Sequence, residues 1–556
     1  MASDFYQEPP RLTNQYDADP LLAAYLRWRL PEEVRRETEP ALRRIGGLAA
    51  TEWLALDTAA EAQPPRHIPY DAWGRRVDRI DVSDAWRALD RIAAEEGLVA
   101  IGYERRHGPL SRIDQFARLY LYAPSSATYS CPLAMTDGAA RVLELYPDEI
   151  TAMAFRHLTS RDPRHFWTSG QWMTERTGGS DVSMTSTIAK RDAEGWRLSG
   201  TKWFTSATTS QIAITLAYAQ ESPSERSLSV FLIHMRDDDG RLRGIRVNRL
   251  KEKLGTRALP TAELTLDATP AHLVGGLGHG VRKISALFNV TRVYNAVAAV
   301  AGMRRAIALA RDYSTRRIAF GKPLIEHPLH RETIKAMELE WRAAFLLTFH
   351  VVELLGMQEC ASASGDDLAR LRLLVPAAKL YTAKQAVAVA SEAIESFGGA
   401  GYIEDTGLPR LLRDAQVLSI WEGTTNVLSL DVLRALEKTN ALAAFLENAR
   451  ERLSSLRSEQ LSSSSTRVQT ALGVVQPFAE RLGEEGRAFA ESWARAFSFT
   501  VARTMAATLL LEQADWAIAH AANGADAATA AIRWCERELT SLEKNEGPVP
   551  SPMLLG

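Results

Sequence analysis

The chain has 556 residues, of which 46% are apolar, and its formal net charge at pH 7 is -2. This length allows two or more domains with large cores, and the near-neutral charge predicts no general attraction to nucleic acid or to an anionic membrane. Cys131, Cys360 and Cys535 lie far apart in the sequence. They form neither a metal-ligand spacing nor a disulfide framework, which favours a reducing compartment.

The sequence pattern at the chain ends gives no targeting signal. The start, MASDFYQEPPRL, lacks a basic flank followed by an apolar run, and the last residues, PMLLG, are not a peroxisomal address. No apolar run is long enough to cross a bilayer. We therefore expect a cytoplasmic protein without a membrane span, with mitochondrial and peroxisomal locations left open.

Residues 1–165 are predicted to form a mainly helical domain. In DAWRALDRIAAEEGL, Trp86, Leu89 and Ile92 repeat at the spacing of one helix face, and Ser83 is a predicted N-cap.

Residues 166–275 are predicted to form a β domain, because the apolar period changes to two. GWRLSGTKWFT, QIAITLAYAQ, LSVFLIHM and TAELTLD predict short strands. Aspartate and glycine separate them, as in RDDDGRLRG.

Helices return in the segment 276–438 and continue in a further helical block, 439–556. ALFNVTRVYNAVAAVAGMRRAIALARDY and AAKLYTAKQAVAVASEAIESFGGAGY predict two long helices, the second with the pair Gly398-Gly399 as its C-cap. Another helix is expected to begin at Thr424 or Thr425. After it the pattern predicts roughly four more amphipathic helices, with SSSST as a loop between two of them.

Two motifs in the β segment have both a structural and a functional interpretation. In QWMTERTGGSDV, Gly178, Gly179 and Ser180 form either a plain turn or a loop that holds phosphate or the edge of a flat polar ring. In GTKWFTS, strand alternation places Trp203 and Thr205 on one face. The tryptophan there either fills a core or stacks on an aromatic cofactor.

Two later motifs are equally ambiguous when each is taken alone. In RRIAFGKPLIEHP, Arg316 and Arg317 suit the negative end of a helix dipole without any ligand. In SIWEGTTN, Glu422 is either a helix cap or a base that removes a proton.

The order of these motifs resembles that of the acyl-CoA dehydrogenase family. WMTERTGGSDV, KWFTS, RRIAFGKP, ESFGGAGY and WEGTTN match five separated family motifs, and the similar region runs from about residue 85 to 438. CPLAMTDGAA, KEKLGTR, the IWEG form of the base motif and the block after residue 440 are similar to the AidB-like branch of that family.

The resemblance implies a mainly α fold: a helical domain, a central β-barrel-like domain and a four-helix domain, followed here by a C-terminal helical extension. It also implies FAD as the cofactor and assembly as a homotetramer. Carried over position by position, the cofactor contacts are Met173, Thr174, Gly179, Ser180, Trp203, Thr205, Arg317, Phe320, Glu395, Gly398, Gly399, Thr424 and Asn426.

Some of these contacts have specific expected places. Trp203 is expected to cover one flavin face and Thr205 to lie near flavin N5. Arg317 and Phe320 are expected to reach the FAD of a neighbouring subunit. Glu395 departs from the glutamine that is common in short- and medium-chain members.

The resemblance makes Glu422 the catalytic base. In the family, the base removes the α-proton of a CoA thioester while hydride moves from the β-carbon to flavin N5. The thioester oxygen is held by a flavin ribityl hydroxyl and by the backbone N–H of the base residue. Thr291 occupies the alternative base position of a few members, and threonine cannot serve as a base. The substrate contacts implied are Ser180, Arg292 and Gly423.

The predicted function is therefore FAD-dependent dehydrogenation of a fatty or branched acyl-CoA, with an electron-transfer flavoprotein as candidate partner. The main alternative is an AidB-type flavoprotein that chiefly binds an acyl ligand, DNA or a protein. An oxidase would use the same glutamate, whereas related monooxygenases generally lack it. DNA binding is disfavoured, because residues 441–556 carry 11 Lys and Arg against 14 Asp and Glu, and phosphate binding needs clustered positive charge.

Overall fold

A computed structural model of the chain describes residues 8–222, 225–521 and 523–542. The contacts divide the chain into two compact units. Within the described residues, unit 1 comprises 8–50, 107–121 and the chain from 295 onward, and unit 2 comprises 51–106 and 122–294. The division into four sequence segments stays a prediction.

The amino-terminal part of the chain is helical except for one hairpin. Its elements are α1 (Pro20–Arg29), α2 (Glu32–Ala50), α3 (Glu52–Ala62), β1 (Arg66–Tyr70), β2 (Arg76–Asp81), α4 (Asp84–Glu95), α5 (Ile101–Glu104), α6 (Ser111–Tyr122), α7 (Ser130–Leu145) and α8 (Glu149–Leu158). Ser83 caps α4 as predicted, because its side chain accepts a hydrogen bond from the N–H of Trp86. The antiparallel pair β1–β2 was not predicted, since its strands are too short for alternation to stand out.

The middle of the chain forms a seven-stranded sheet. Its strands are β3 (Ser169–Trp172), β4 (Ile188–Asp192), β5 (Gly195–Ser206), β6 (Ile212–Ser222), β7 (Glu225–His234), β8 (Ile245–Leu250) and β9 (Thr261–Val274). The four predicted strands correspond to β5, β6, β7 and β9 and are confirmed. Strand β6 pairs with β4 and β7, β4 with β5, β5 with β9, and β9 with β7. This closed path is the predicted barrel-like domain.

Both faces of this sheet are apolar, and alternation divides its side chains between two cores. Along β6, Ala213 and Ala217 belong to one cluster, whereas Ile212, Ile214 and Leu216 belong to the other, which includes residues of α7 and α8. The period-two pattern is therefore that of strands buried on both sides.

The described residues after the sheet are mainly helical, with one pair of two-residue strands. Their elements are α9 (Gly280–Lys283), α10 (Ser285–Arg316), β10 (Ile318–Ala319), β11 (Lys322–Pro323), α11 (Pro328–Glu359), α12 (Gly365–Glu395), α13 (Pro409–Leu418), α14 (Thr425–Lys438), α15 (Ala441–Ser454), α16 (Ser462–Glu484), α17 (Arg487–His520) and α18 (Gly524–Cys535). The predicted helix start at Thr425 is confirmed, and the described residues of the extension contain the roughly four helices that were predicted.

Two predicted boundaries in this part are wrong. SSSST is not a loop, because α16 begins at Ser462. Ser464 and Ser465 are buried, so tertiary packing overrides the weak helix propensity of serine. The pair Gly398-Gly399 is not the C-cap of α12, whose cap is Ser396. Gly398 follows two residues later at a φ of +59°.

The extension is part of unit 1. Helix α17 packs against α11, α12 and α14, and polar contacts fix the segment after α18 to the same group of helices. The guanidinium of Arg537 lies 3.0 Å from the buried carboxylate of Glu340 on α11, and Tyr381 on α12 donates to that carboxylate. In the part of the chain that the structure describes, no helix has the length and apolar character of a membrane span.

Candidate functional site

A loop in unit 2 carries the first group of predicted site residues. It covers residues 176–184, and almost all of them are exposed. Its two ends are joined by the carboxylate of Glu175, which accepts hydrogen bonds from the three consecutive residues Thr185, Ser186 and Thr187. The N–H and the hydroxyl of Ser186 both donate at 2.6 Å. The base of the loop is therefore fixed while its middle faces outward.

A buried lysine neutralises Glu175. Lys202 is fully buried, its ammonium lies 2.7 Å from Glu175 Oε1, and it also donates to the carbonyl of Leu216 at 3.0 Å. Burial alone would raise the pKa of Glu175, but the charge of Lys202 and hydrogen bonds from Lys202 and Ser186 hold it at about 2. Charge-assisted hydrogen bonds of this kind are short and strong, so they close the loop firmly.

Trp203 follows Lys202 and lies beside the start of the loop. Its backbone N–H donates to the carbonyl of Thr174 at 2.9 Å. A Cβ added to Gly179 would come within 2.5 Å of Thr174 Oγ1, so the loop backbone packs directly against Thr174. Met173 is buried next to it. Four predicted site residues are thus brought together, with the exposed Ser180 following Gly179.

The expectation that Trp203 and Thr205 share a strand face needs correction. The pairing of β5 with β9 shifts register between Lys202 and Thr205, and such a bulge interrupts the alternation of side chains. Thr205 is fully buried, and its hydroxyl donates to the carbonyl of Ala262 at 2.8 Å. Trp203 is only half-buried.

Positive charge surrounds the indole of Trp203. The ammonium of Lys251 lies 3.7 Å from the ring centroid, and the guanidinium carbon of Arg176 lies 5.3 Å from it. Lys251 is also 2.6 Å from the carboxylate of Glu263. The cation–π contact and the ion pair together fix Lys251 over the ring.

In unit 1, Glu422 lies in the turn between α13 and α14. Its φ is +56° and that of Gly423 is +104°, so two consecutive residues occupy the region that favours glycine. The side chain of Glu422 is half-buried, whereas Thr424 and Asn426 are exposed. Thr424, and not Glu422, occupies the N-cap position of α14.

Two buried side chains hold this turn. Lys379 on α12 is fully buried and donates to the carbonyls of Trp421 and Gly423, both at 2.7 Å. Asn295 on α10 is 3% exposed. Its amide oxygen accepts from the indole N–H of Trp421, and its amide N–H donates to the carbonyl of Leu418 at 3.2 Å. We call Lys379 and Asn295 the turn brace.

The two residues predicted to reach a neighbouring subunit lie just after α10. Arg317 is half-buried, and Phe320, with a φ of +50°, is 98% exposed. Arg316 ends the helix and binds Asp312 and Glu8. Arg316 thus pairs with carboxylates of its own chain, in agreement with the interpretation that it needs no ligand.

The predicted backbone contacts at the end of α12 lie beside this region. Glu395 is the last residue of the helix, and it is exposed, as are Gly398 and Gly399. The rings of Phe397 and Tyr313 have centroids 4.8 Å apart. This contact brings the carboxyl ends of α10 and α12 together.

Two further residues lie on α10 within unit 2. Thr291 is buried, and its hydroxyl donates to the carbonyl of Phe288 at 3.2 Å. The guanidinium carbon of Arg292, which is half-buried, lies 5.9 Å from the ring centroid of Phe288.

Family models match four consecutive segments of the chain. They are the AidB N-terminal domain at 7–162, the acyl-CoA dehydrogenase middle domain at 170–269, the acyl-CoA dehydrogenase C-terminal domain at 278–437 and the acyl-CoA dehydrogenase 11 C-terminal domain-like family at 440–549.

Full-length relatives give the same result. Acyl-CoA dehydrogenase family member 11 of Caenorhabditis elegans is 44% identical, over 97% of this chain and 90% of its own length. The chain belongs to the acyl-CoA dehydrogenase family. The putative acyl-CoA dehydrogenase AidB of Escherichia coli is 34% identical, over 72% of this chain and 74% of its own length.

A solved structure agrees with both. It is that of Caenorhabditis elegans ACDH-11 in complex with C11-CoA, which has a TM-score of 0.94 and 43% identity and covers 97% of this chain and 94% of its own. The predicted family, its AidB-like branch, the fold class and the class of enzyme are thereby confirmed.

Membership in the acyl-CoA dehydrogenase family supports FAD as the cofactor, and unit 2 has groups that fit it. The buried side-chain oxygen of Gln171, just before Met173, has no hydrogen-bond partner, so it can accept from a ligand N–H or hydroxyl. The exposed loop 176–184 sits on a rigid base, and Trp203 presents a half-buried ring beside it. A flat polar ring with a phosphate tail suits such a set.

Sequence reasoning missed the residues that support the site. Lys379 stands alone in the otherwise apolar run VPAAKLYTA, and a single charge in a buried helix was a usable signal. Asn295 gave none. Glu175 and Lys202 lie inside recognised motifs, yet only the fold shows that they pair.

Proposed function

We propose that the chain catalyses the α,β-dehydrogenation of an acyl-CoA thioester with Glu422 as the base. The observation that carries this proposal is the turn at Glu422. It holds a half-buried carboxylate in a left-handed conformation between two buried braces, in a chain of this family. Strained backbone held by its surroundings is typical of functional sites.

The central predicted site residues have the following proposed parts. Glu422 takes the α-proton, and its backbone N–H donates to the thioester oxygen as negative charge develops there. FAD, when bound, supplies the acceptor for the hydride. Trp203, Thr205 and the loop from Gly178 hold and orient the flavin, and Arg292 and Gly423 contact the thioester part of the substrate.

The proposed substrate is an acyl-CoA of fatty or branched type. Its support is the ACDH-11 structure in complex with C11-CoA, at 43% identity. An electron-transfer flavoprotein is the proposed electron acceptor, and the cytoplasmic location stays a prediction.

Glu422→Gln tests the base. Glutamine keeps the shape of the side chain but cannot take a proton, so acyl-CoA should reduce the bound flavin at least about 10²–10⁴-fold more slowly, with FAD content unchanged. Stopped-flow absorbance with acyl-CoA compounds of graded length measures this. Glu437→Gln, an exposed glutamate on α14, is the matched control. A Glu422→Gln protein that is reduced at the wild-type rate would falsify the assignment.

We also propose assembly as a homotetramer through the surface after α10 and α12. Large apolar side chains are exposed there: Ile318, Phe320, Leu329, Tyr402 and Ile403. Arg317→Ala should lose FAD and weaken the oligomer together, because the cofactor would be bound by two copies. Light scattering and flavin absorbance follow both. A monomer with full FAD occupancy would contradict the proposal.

The second candidate is an AidB-type flavoprotein that mainly binds acyl-CoA and has weak dehydrogenase activity. The match of 7–162 to the AidB N-terminal domain favours it. Acyl-CoA would then perturb the flavin spectrum of the wild type without reducing the flavin at any chain length.

DNA affinity should be weak and steeply salt-dependent, which a fluorescence titration near physiological salt measures.

A further inference from the structure

Lys379 makes one hydrogen bond on each side of Glu422 and Gly423, the two residues of the turn that have a positive φ. The carbonyl of Trp421 belongs to the peptide group just before Glu422, and the carbonyl of Gly423 belongs to the peptide group just after Gly423. One ammonium binds both at 2.7 Å. The two peptide groups are therefore fixed relative to each other, which fixes the direction in which the Glu422 side chain leaves the backbone.

The same bond reaches a second functional group. The carbonyl of Trp421 and the N–H of Glu422 are the two ends of one peptide unit. An ammonium on the carbonyl orients that unit and draws electron density toward the oxygen, which strengthens the N–H as a donor, because hydrogen bonds in a chain polarise one another. That N–H is the proposed donor to the thioester oxygen.

Helix capping does not account for this lysine. The unsatisfied carbonyls of a helix are its last four, and α13 ends at Leu418. Trp421 and Gly423 lie beyond that end. The helix end is instead bound by Asn295, which donates to the carbonyl of Leu418 and accepts from the indole of Trp421. The two members of the turn brace therefore have separate targets.

We propose that Lys379, assisted by Asn295, is a positioning residue that sets both the aim of the Glu422 carboxylate and the donor strength of the Glu422 N–H. The ammonium is fully buried, which is costly unless its donors are well used. Two hydrogen bonds from this ammonium hold the turn at Glu422. This inference rests on the proposed role of Glu422.

Lys379→Met in the full chain with FAD tests the proposal, because methionine keeps an unbranched side chain and removes the ammonium. Flavin reduction by acyl-CoA should slow about 10- to 100-fold, as expected for a misplaced reacting group or a weakened oxyanion donor. The substrate concentration for half-maximal rate should change far less.

A second readout reports the N–H donor directly. An acyl-CoA with a ¹³C thioester carbonyl is bound to enzyme whose flavin has already been reduced, so no turnover occurs. Its infrared carbonyl stretch should lie below that of the free thioester in the wild type. In Lys379→Met it should move back toward the free value. A purely structural lysine would leave this stretch unchanged.

Lys283→Met is the matched control. Lys283 is also a buried lysine, and it donates to a backbone carbonyl in the loop before α9, that of Gly276 at 2.5 Å. Its loss should lower the melting temperature without moving the carbonyl stretch. If Lys379→Met fails to fold, Lys379→Gln, whose amide keeps a hydrogen-bond donor but loses the charge, carries the test with the same two readouts and a smaller slowing.

The outcomes separate the two proposals. A folded Lys379→Met with wild-type rate and wild-type carbonyl stretch overturns the positioning role, as does an unchanged Lys379→Gln when the methionine variant does not fold. A wild type that no acyl-CoA reduces overturns the dehydrogenase assignment. The carbonyl stretch still decides in that case whether Lys379 acts on the N–H.

Discussion

The loop 176–184 in unit 2 and the turn at Glu422 in unit 1 each depend on a fully buried lysine, but the lysines act differently. Lys202 neutralises the carboxylate of Glu175, and that carboxylate ties the two ends of the loop. Lys379 binds the backbone on either side of the functional residue. The first arrangement fixes the two ends of the loop and leaves its middle exposed, whereas the second fixes the backbone of the proposed base itself.

The two regions also differ in where backbone strain lies. The loop places a glycine, Gly178, at its positive φ of +121°, so no side chain is strained. The turn places Glu422 at +56°, which costs roughly 1–2 kcal/mol for a residue with a Cβ. The proposed cofactor loop thus avoids the backbone strain that the turn carrying the proposed base retains.

The largest expected effect tests the ion pair of Lys202 with Glu175, which closes the loop 176–184. Lys202→Met leaves the carboxylate of Glu175 buried without its partner, which should lower the free energy of unfolding by about 3–5 kcal/mol and release FAD. Denaturant unfolding and flavin absorbance measure the two losses. Lys190→Met, at an exposed lysine of β4, should change neither quantity. A stable Lys202→Met protein with bound FAD would refute the proposed role of the ion pair.

Lowering the pH should destabilise the wild type more than a variant in which neutral side chains replace the ion pair of Glu175 and Lys202. The pKa of Glu175 is about 2 in the folded chain against an ordinary value of 4.5. A lowered carboxyl pKa adds stability that is complete above about pH 4.5 and is lost as the pH falls toward 2. Between pH 5 and pH 3, the Glu175→Gln/Lys202→Met protein should lack about 2 kcal/mol of this acid-dependent change relative to the wild type. Melting from pH 5 to pH 3 measures it, and parallel curves would contradict it.

Gly178→Ala tests the strain-free design of the loop. Nothing lies within 4 Å of an added Cβ, so the expected loss of about 1–3 kcal/mol comes from the backbone alone. Gly473→Ala on α16 is the control, since it also meets nothing within 4 Å and should gain about 0.5–1 kcal/mol. Chemical denaturation of both proteins gives the difference. If both substitutions raised the free energy of unfolding equally, the loop backbone would have relaxed without cost.

The smallest effect concerns the turn. Glu422→Gly and Glu422→Ala both remove the carboxylate, but only glycine relieves the positive φ. We expect Glu422→Gly to be more stable than Glu422→Ala by about 0.5–1 kcal/mol, measured as a difference in denaturant midpoint at equal slope. Equal stability would mean that the brace, and not the residue, determines the energy of this turn.

Sequence patterns were sufficient for most of the fold because its elements are long and periodic. The strands around Trp203 and the helix starting at Thr425 follow directly from alternation and capping. The hairpin β1–β2 was missed because its strands are short. The helix start at Ser462 was missed because serine has an ambiguous local preference that the burial of Ser464 and Ser465 overrides.

The site was predictable only where residues act through local motifs. Glu422 and the glycines at 178–179 stand in recognisable stretches. The pairings of Lys202 with Glu175 and of Lys379 with the turn join residues far apart in sequence, and no spacing rule connects them. The bulge in β5 was equally hidden, because one extra residue changes no local composition.

The arrangement of unit 1 along the chain also governs how the protein is made. Tyr25 on α1 donates a hydrogen bond to Glu353 on α11, a partner 328 residues later. At synthesis rates of about 5–20 residues per second, that partner leaves the ribosome roughly 15–65 s after Tyr25 does. Part of the native surface around α1, with buried residues such as Leu22, therefore forms late, because α11 and α17 lie far downstream in the sequence. Exposed apolar surface of this kind favours aggregation until its partners have been translated.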